Sequence, residues 1–164
     1  IGLAAGIARS IPHGLKKVLG RAGYLLAAGF LLARLKPFRC VITTPDGQRF
    51  EFPETLEVRI ANGPYKGGLL VAQEASLESR DLTLHVVKGH SPTLLARVWA
   101  TLAMGKRPEE GVLESMRFRA FRIETDPPQY VSIDGEAVTR TPVQVDVAEN
   151  ALRVIVPRTR DDLN

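Results

Sequence analysis

From Pro37 almost to its end the chain is a succession of short apolar and β-branched runs separated by turn residues, and this pattern limits the possible folds more than any other feature. The runs are Arg39 to Thr44, Gln48 to Phe52, Leu56 to Ala61, Leu69 to Ala72, Leu82 to Lys88, Met116 to Glu124, Tyr130 to Ile133, Val143 to Val147 and Leu152 to Val156. That many strands imply a sandwich or barrel. Asp46-Gly47 and Asp134-Gly135 each sit between two runs, where a two-residue turn needs positive φ at both central positions, so each predicts a hairpin. In the longest run Met116, Phe118 and Ala120 alternate with Arg117 and Arg119, after which Phe121 and Ile123 take the opposite phase. Such a shift predicts a bulge.

One helix interrupts the strands. Ser91 suits the N-cap and Pro92 the first helical position, and Leu94, Leu95, Val98, Trp99 and Leu102 fall at helical spacing before Gly105. A second helix is predicted from roughly Leu15 to Leu35, with Tyr24, Leu25, Leu32 and Leu35 among its buried residues and Lys16, Lys17 and Arg21 near its exposed start. The expected fold class is therefore α+β, mainly β: a two-layer β-sandwich with an N-terminal helix and one inserted helix. At 164 residues, 45% hydrophobic and 24% charged, the chain fits one domain, with no internal repeat and no linker that would split it. A core of this size needs no disulfide. The single cysteine, Cys40, also excludes an internal disulfide and a Cys-rich zinc cluster, and favours a reducing compartment.

Charge is distributed unevenly. Ile1 to Pro45 holds seven basic residues and no acid, which leaves 15 basic against 18 acidic residues in the remainder. A basic leader of this kind can meet anionic lipid head groups, nucleic acid or an acidic neighbouring domain. Nucleic acid is disfavoured, because no aromatic residues interleave with the basic ones to stack on bases. The apolar stretch from Ala22 to Ala33 is 12 residues long, short of the roughly 18 that a membrane span requires. It also ends in Arg34-Leu35-Lys36 instead of a small-residue cleavage site, so a signal peptide fits poorly, and Ile1 reads as a cut end. The helix over this stretch has two readings, a core helix with solvated basic residues or a surface that touches membrane lipid.

Catalytic and metal-binding motifs are sparse in the sequence. His13, His85 and His90 are scattered without a partner at metal-ligand spacing, and no Gly-x-Ser-x-Gly elbow surrounds a serine. Asn62 to Gly68 is glycine-rich but precedes no phosphate-binding helix, and reads as a tight turn. The most suggestive cluster is Asp134-Gly135-Glu136. As structure it is a hairpin turn followed by an exposed strand start. As chemistry, a carboxylate held at a rigid turn can accept the proton of an attacking hydroxyl while its neighbour orients a metal or cofactor, as phosphoryl transfer to an alcohol requires.

Four segments in order carry a resemblance: Leu15 to Ala28 (LKKVLGRAGYLLAA), Ile60 to Gly68 (IANGPYKGG), Ala75 to Val87 (ASLESRDLTLHVV) and Tyr130 to Pro157 (YVSIDGEAVTRTPVQVDVAENALRVIVP). Together they resemble the C-terminal domain of the bacterial diacylglycerol kinase-like lipid kinases, relatives of the sphingosine kinases. The last segment is the most specific, with Asp-Gly-Glu followed by Thr141-Pro142, Ala151-Leu152 and Val156-Pro157 at consistent spacing. The resemblance implies a two-domain kinase in which residues 1–164 form the single C-terminal, lipid-side domain. An N-terminal nucleotide-binding domain, absent from this chain, would hold ATP through a Gly-Gly-Asp-Gly-Thr loop. It implies Asp134 as the general base for the lipid hydroxyl and Glu136 as a residue that helps organise ATP or its Mg²⁺.

The family's structural magnesium loop would align with Ala75 to Leu82, with Ser76, Ser79 and Asp81 at candidate ligand positions. Ser79 stands where the ligand aspartate belongs and Arg80 replaces the glycine. A neutral hydroxyl is a much poorer ligand for a hard dication. Either Arg80 partly substitutes for the cation's charge, or Glu78 or Asp81 rebuilds the site. The leading expectation is the lipid-side domain of a cytoplasmic kinase, peripheral at the membrane, that phosphorylates diacylglycerol or a related lipid alcohol with ATP and Mg²⁺. This fragment alone would be inactive. Its expected partners are the nucleotide-binding domain, the lipid substrate and an anionic membrane surface, with no nucleic acid. The competing expectation is a non-catalytic lipid-binding or interaction module that kept the sandwich.

Overall fold

The computed structural model describes residues 1–2, 34–63, 65–66, 69–70, 79–149 and 151, with 65–66 and 69–70 described by backbone alone. The helix expected over Leu15 to Leu35 falls outside these residues apart from its end, as does the run Leu152 to Val156.

Strands β1 (Phe38–Thr43) and β2 (Arg49–Ala61) open the main sheet as a hairpin. The first half of β2 pairs with β1, and the second half with β5 (Leu82–Lys88). Strand β6 (Leu113–Phe118) pairs with β5, and the chain passes through Arg119 into β7 (Ala120–Asp126), which pairs with β1 and with β10 (Val143–Asp146). The order β10-β7-β1-β2-β5-β6 is antiparallel throughout. Since β6 and β7 are consecutive in sequence but lie toward opposite ends of that order, the sheet folds back on itself. Two places turn the corners, the irregularity at Thr55–Glu57 in β2 and Arg119 between β6 and β7. The result is the two-layer sandwich expected from the strand pattern.

Two smaller hairpins complete the β structure. Strands β3 (Tyr65–Lys66) and β4 (Leu69–Leu70) pair with each other, so part of the glycine-rich segment is strand, and Gly67 and Gly68 between them lie outside the described residues. Strands β8 (Tyr130–Ile133) and β9 (Glu136–Arg140) form the other.

The core lies between the layers, where alternate residues of each strand point inward. Cys40 and Ile42 of β1, Val58 of β2, Leu84 and Val86 of β5, and Phe121 and Ile123 of β7 are buried there together. Phe50 and Phe118 lie 5.5 Å apart, and Phe118 and Phe121 5.9 Å, so three aromatic rings link β2 to both sides of the Arg119 corner. The phase change read in the sequence is this corner: Met116 and Phe118 reach the core from β6, and Phe121 and Ile123 reach it after the turn.

Helix α1 (Pro92–Ala103) covers the outside of the second layer, with Leu95 and Val98 buried against Leu56 and Val87. Leu35, Leu94, Trp99 and Leu102 pack around the same cluster. Pro92 occupies the start and Gly105, at φ 70°, follows the end. Ser91 sits at the N-cap in extended conformation, but its hydroxyl bonds Thr93 Oγ1 at 2.7 Å and makes no cap bond.

Four boundaries differ from the sequence reading. Gln48 to Phe52 and Leu56 to Ala61 are one strand, because Pro53 sits within β2 beside the bend, where a missing N–H is tolerated. Met116 to Glu124 is two strands with different partners, and β6 begins at Leu113. Strand β9 carries no alternating signal because all five of its residues are exposed. The Asp46-Gly47 hairpin is a three-residue loop: Gly47 N–H donates to Thr44 O and Thr44 N–H to Gln48 O, both at 3.0 Å, and only Gly47 has positive φ. Pro45 has no N–H to donate to Gln48 O, as the closing pair of a two-residue turn would, and Thr44 makes that bond instead.

Candidate functional site

The Asp134-Gly135 dipeptide closes the β8–β9 hairpin as a two-residue turn, with φ of 49° at Asp134 and 85° at Gly135 and Ile133 paired with Glu136. Positive φ at both positions matches the right-handed twist of the strands, and an aspartate tolerates the left-handed region better than most residues. Asp134 and Glu136 are both exposed there. Among the described residues no side chain hydrogen-bonds to the Asp134 carboxylate. Ile133 and Val138 beside it are 58% and 60% exposed, so apolar surface flanks the two acids. A shallow depression between α1 and residues 108–112, lined by Leu94, Arg97, Val98, Thr101, Pro108, Glu109 and Val112, includes no residue of this hairpin.

An isolated two-stranded hairpin is marginal in water, so its base must be held. Val131 enters the main core, 9% exposed. Two threonines supply the rest. Gln129 N–H donates to Thr141 Oγ1 at 2.8 Å and to Thr125 Oγ1 at 3.1 Å, and the two hydroxyls bond each other. Thr141 N–H returns to Gln129 O at 2.9 Å, and Thr141 is 4% exposed. Thr125 belongs to β7, so this knot fixes the hairpin to the sandwich edge. Across the strands the Arg140 guanidinium lies 4.0 Å from the centre of the Tyr130 ring and bonds its hydroxyl. Three strand rises separate Tyr130 from Ile133, which carries the turn about 10 Å beyond its anchor. The sequence had flagged Thr141 only as part of a motif, and nothing in it pointed to Thr125 or Gln129, whose bonds depend on tertiary placement.

The second set of predicted site residues lies at the entry to β5. Ser76 and Glu78 are outside the described residues. The Ser79 hydroxyl donates to Asp81 Oδ1 at 2.6 Å, and the same oxygen accepts Arg117 Nη2 at 3.0 Å and Nε at 3.3 Å. The Ser79 bond and the Arg117 guanidinium hold the Asp81 carboxyl below the usual carboxylate range. Arg80, which the sequence reading offered as the cation substitute, instead reaches toward Glu149, 3.8 Å away. Its φ is 55°, so the backbone keeps the conformation that a glycine at that position would adopt freely. These donors do not suit a divalent cation, because the only described carboxylate in the turn is engaged by a guanidinium and the hydroxyl is turned toward that carboxylate. Among the described residues no three His, Cys, Asp or Glu side chains converge as a metal site.

The two described histidines fit structural roles, and His13 lies outside the described residues. His85 is buried in β5 with Nδ1 2.9 Å from Ser115 Oγ, and His90 meets Glu54 at the surface. A buried acid was not foreseen. Glu57 is fully buried on the β2 face that α1 covers, with Oε2 3.1 Å from Arg59 Nε and accepting Trp99 Nε1–H at 2.5 Å. Among the described residues no helix is long and apolar enough to cross a membrane.

Comparison with known proteins places the chain. A family model, the YegS C-terminal NAD kinase beta sandwich-like domain, matches residues 2–156. A protein of Alcanivorax borkumensis named "Probable lipid kinase YegS-like" is 28% identical over 160 residues, covering 95% of this chain and 52% of that protein. A Staphylococcus aureus protein named "Putative lipid kinase" is 23% identical over 164 residues, covering 94% and 51%. The chain thus spans about half the length of the curated relatives it matches. Among solved structures, one described as a "putative diacylglycerol kinase" from Bacillus anthracis superposes with a TM-score of 0.63 at 28% identity, covering 88% of this chain and 46% of that one. The folded-over sandwich and a family match across nearly its whole length lead to one conclusion: this chain belongs to the YegS C-terminal, NAD kinase-like β-sandwich family.

Proposed function

We propose that this domain forms the lipid side of an ATP-dependent lipid kinase, with Asp134 as the general base. The observation that carries the reading is the β8–β9 turn, which presents an exposed carboxylate on an anchored hairpin, in a family whose relatives bear lipid kinase names. In the proposed step the substrate alcohol gives its proton to an Asp134 oxygen, its oxygen forms a bond to the γ-phosphorus of ATP, and the bond to the β-phosphate oxygen breaks, releasing ADP. The transition state is loose, so a carboxylate with modest basicity suffices when it is well positioned.

The ATP would be held by a nucleotide-binding domain in the other half of the full-length protein, meeting this domain at the hairpin. Glu136, two residues beyond the base, would help orient the nucleotide. Any Mg²⁺ would arrive with the nucleotide and neutralise phosphate charge, its phosphates and water supplying most of the ligands. The seven basic residues before Pro45 support contact with anionic membranes, where a lipid alcohol is confined. Diacylglycerol is the first substrate to test, since the Bacillus anthracis neighbour carries that name.

The test is Asp134→Asn in the full-length protein, assayed for phosphate transfer from ATP to diacylglycerol in mixed micelles and for binding to anionic vesicles. The expected result is a fall in kcat of about 10²-fold or more with vesicle binding unchanged. Unchanged turnover would remove Asp134 as the base. A parent protein that binds vesicles but transfers no phosphate to any lipid alcohol would favour the non-catalytic module.

A further inference from the structure

The turn that enters β5 is closed from the sheet by two arginines. Arg117, on β6, bonds Asp81 through both Nε and Nη2, and Ser79 completes the set on the same carboxylate oxygen. Two residues along, Arg119 at the sandwich corner donates Nε to Arg80 O at 3.2 Å and Nη2 to Glu149 Oε1 at 2.5 Å. Glu149 also faces Arg80 Nη1 at 3.8 Å. Three arginines and two acids thus tie residues 79–81 to the β6–β7 corner and to the segment after β10. A divalent cation in such a turn would gather oxygen donors around one positive centre, with acid side chains free to turn toward it. Here the positive centre beside Asp81 is covalently part of β6.

We infer that Arg117, supported by Arg119, takes the structural place of a divalent cation in the 79–81 turn, so that this domain is closed and stable without metal. The guanidinium suits the exchange because it is permanently charged and presents several donors in a fixed plane. Arg80 belongs to the same change: its own charge is met by Glu149, and a second cation in the turn would have to share space with it. The inference concerns the fold alone and stands or falls independently of the kinase reading.

The experiment is thermal unfolding of the full chain at pH 7 and constant ionic strength, in EDTA and in millimolar MgCl₂ or CaCl₂. The parent Tm is expected to be the same in all three. A resident site filled at a hundredfold excess over its Kd would raise Tm by roughly 5–10 °C, and a shift of that size overturns the inference. Arg117→Met and Asp81→Asn are each expected to lower Tm by about 2 °C, and the double variant to lose no more than either single one. Additive losses would show that the two residues do not act as a pair and would also overturn it. If Arg117→Met fails to fold, the metal titration of the parent and the Asp81→Asn melt still decide the matter: a metal-dependent Tm, or a Tm unmoved by Asp81→Asn, refutes the exchange.

Discussion

Replacing Arg59 by Met should damage this domain far more than breaking any of its surface ion pairs. Glu57 and Arg59 are two apart on β2 and therefore share a face, the one that α1 covers. The Glu57 side chain is 0% exposed and that of Arg59 21%, with Nε–Oε2 at 3.1 Å. The guanidinium also lies 3.3 Å from the centre of the Trp99 ring, whose N–H bonds the same carboxylate oxygen. Among the described residues Oε1 has no partner, so without Arg59 the carboxylate would keep one indole N–H there and no described positive charge. Stripping one partner from a buried pair costs about 3–5 kcal/mol, whereas an exposed pair such as Arg97–Glu109, with side chains 65% and 72% exposed, is worth at most about 1 kcal/mol. At about 2–4 °C per kcal/mol for a domain of this size, Arg59→Met should lower Tm by roughly 6–20 °C. Trp99 is the only tryptophan, so its fluorescence during a urea or thermal transition reads this site directly. Adding Glu57→Gln should recover most of the loss. A fall below about 1 kcal/mol for Arg59→Met, or a double variant as unstable as the sum of the singles, would refute the claim that a buried charge needs its partner here.

Other consequences can be checked separately. Thr141→Val removes the acceptor for Gln129 N–H and its bond to Thr125; it should cost about 1 kcal/mol overall, and hydrogen exchange should speed up at the β8–β9 amides more than in β1 or β5. Equal acceleration across the sheet would show that the knot is not a local anchor. Gly135→Ala meets no neighbouring atom within 4 Å, so its cost is conformational alone, about 1 kcal/mol, and Gly135→Asn should be milder because Asn tolerates positive φ. Burial pushes the Cys40 thiol up to about 12, so a thiol reagent at pH 8 should label it only on unfolding; rapid labelling of the folded chain would contradict its burial in β1. Asp81 is held below its ordinary value, so its contribution is present above about pH 4 and is lost as pH falls through its lower folded value. The Tm gap between the parent and Asp81→Asn should therefore close in strong acid, and a gap that widened there would reverse the sign.

The sequence made local structure visible and left distant contacts hidden. Period-two alternation and turn dipeptides located most strands, and the cap and spacing rules found α1 within a residue, because those signals come from neighbours in sequence. Strand β2 was divided at Pro53 since a proline reads as punctuation, and only the pairing of each half with a different strand shows why the chain continues through it. The corner at Arg119 appeared as a phase shift, but nothing local says that β7 returns to β1. The same limit applies to the sites. Asp134-Gly135 advertised its own geometry, while the bond from Arg117 to Asp81 spans 36 positions and the one from Trp99 to Glu57 spans 42. In a strand of alternating residues Glu57 looks like solvent-facing polarity, and only α1 packed over it makes it a buried acid.

The two carboxylates that matter most are treated in opposite ways by the same fold. Glu57 is enclosed and oriented by an arginine and an indole, which fixes a position but leaves little freedom to bind anything else. Asp134 sits on a two-residue turn with its backbone constrained and its oxygens open to solvent. Its precision has to come from the backbone, since no described side chain grips it. The Thr125–Thr141–Gln129 knot supplies that precision at the base, and the turn's positive φ values transmit it to the tip. A group that must accept a proton from an incoming alcohol needs this combination of a placed backbone and an unoccupied carboxylate. It follows that loosening the knot should disturb the orientation of Asp134 without altering its chemistry. If Asp134 is the base proposed above, Thr141→Val in the full-length protein should lower kcat by less than Asp134→Asn does, and equal losses would show that the knot does more than place the carboxylate.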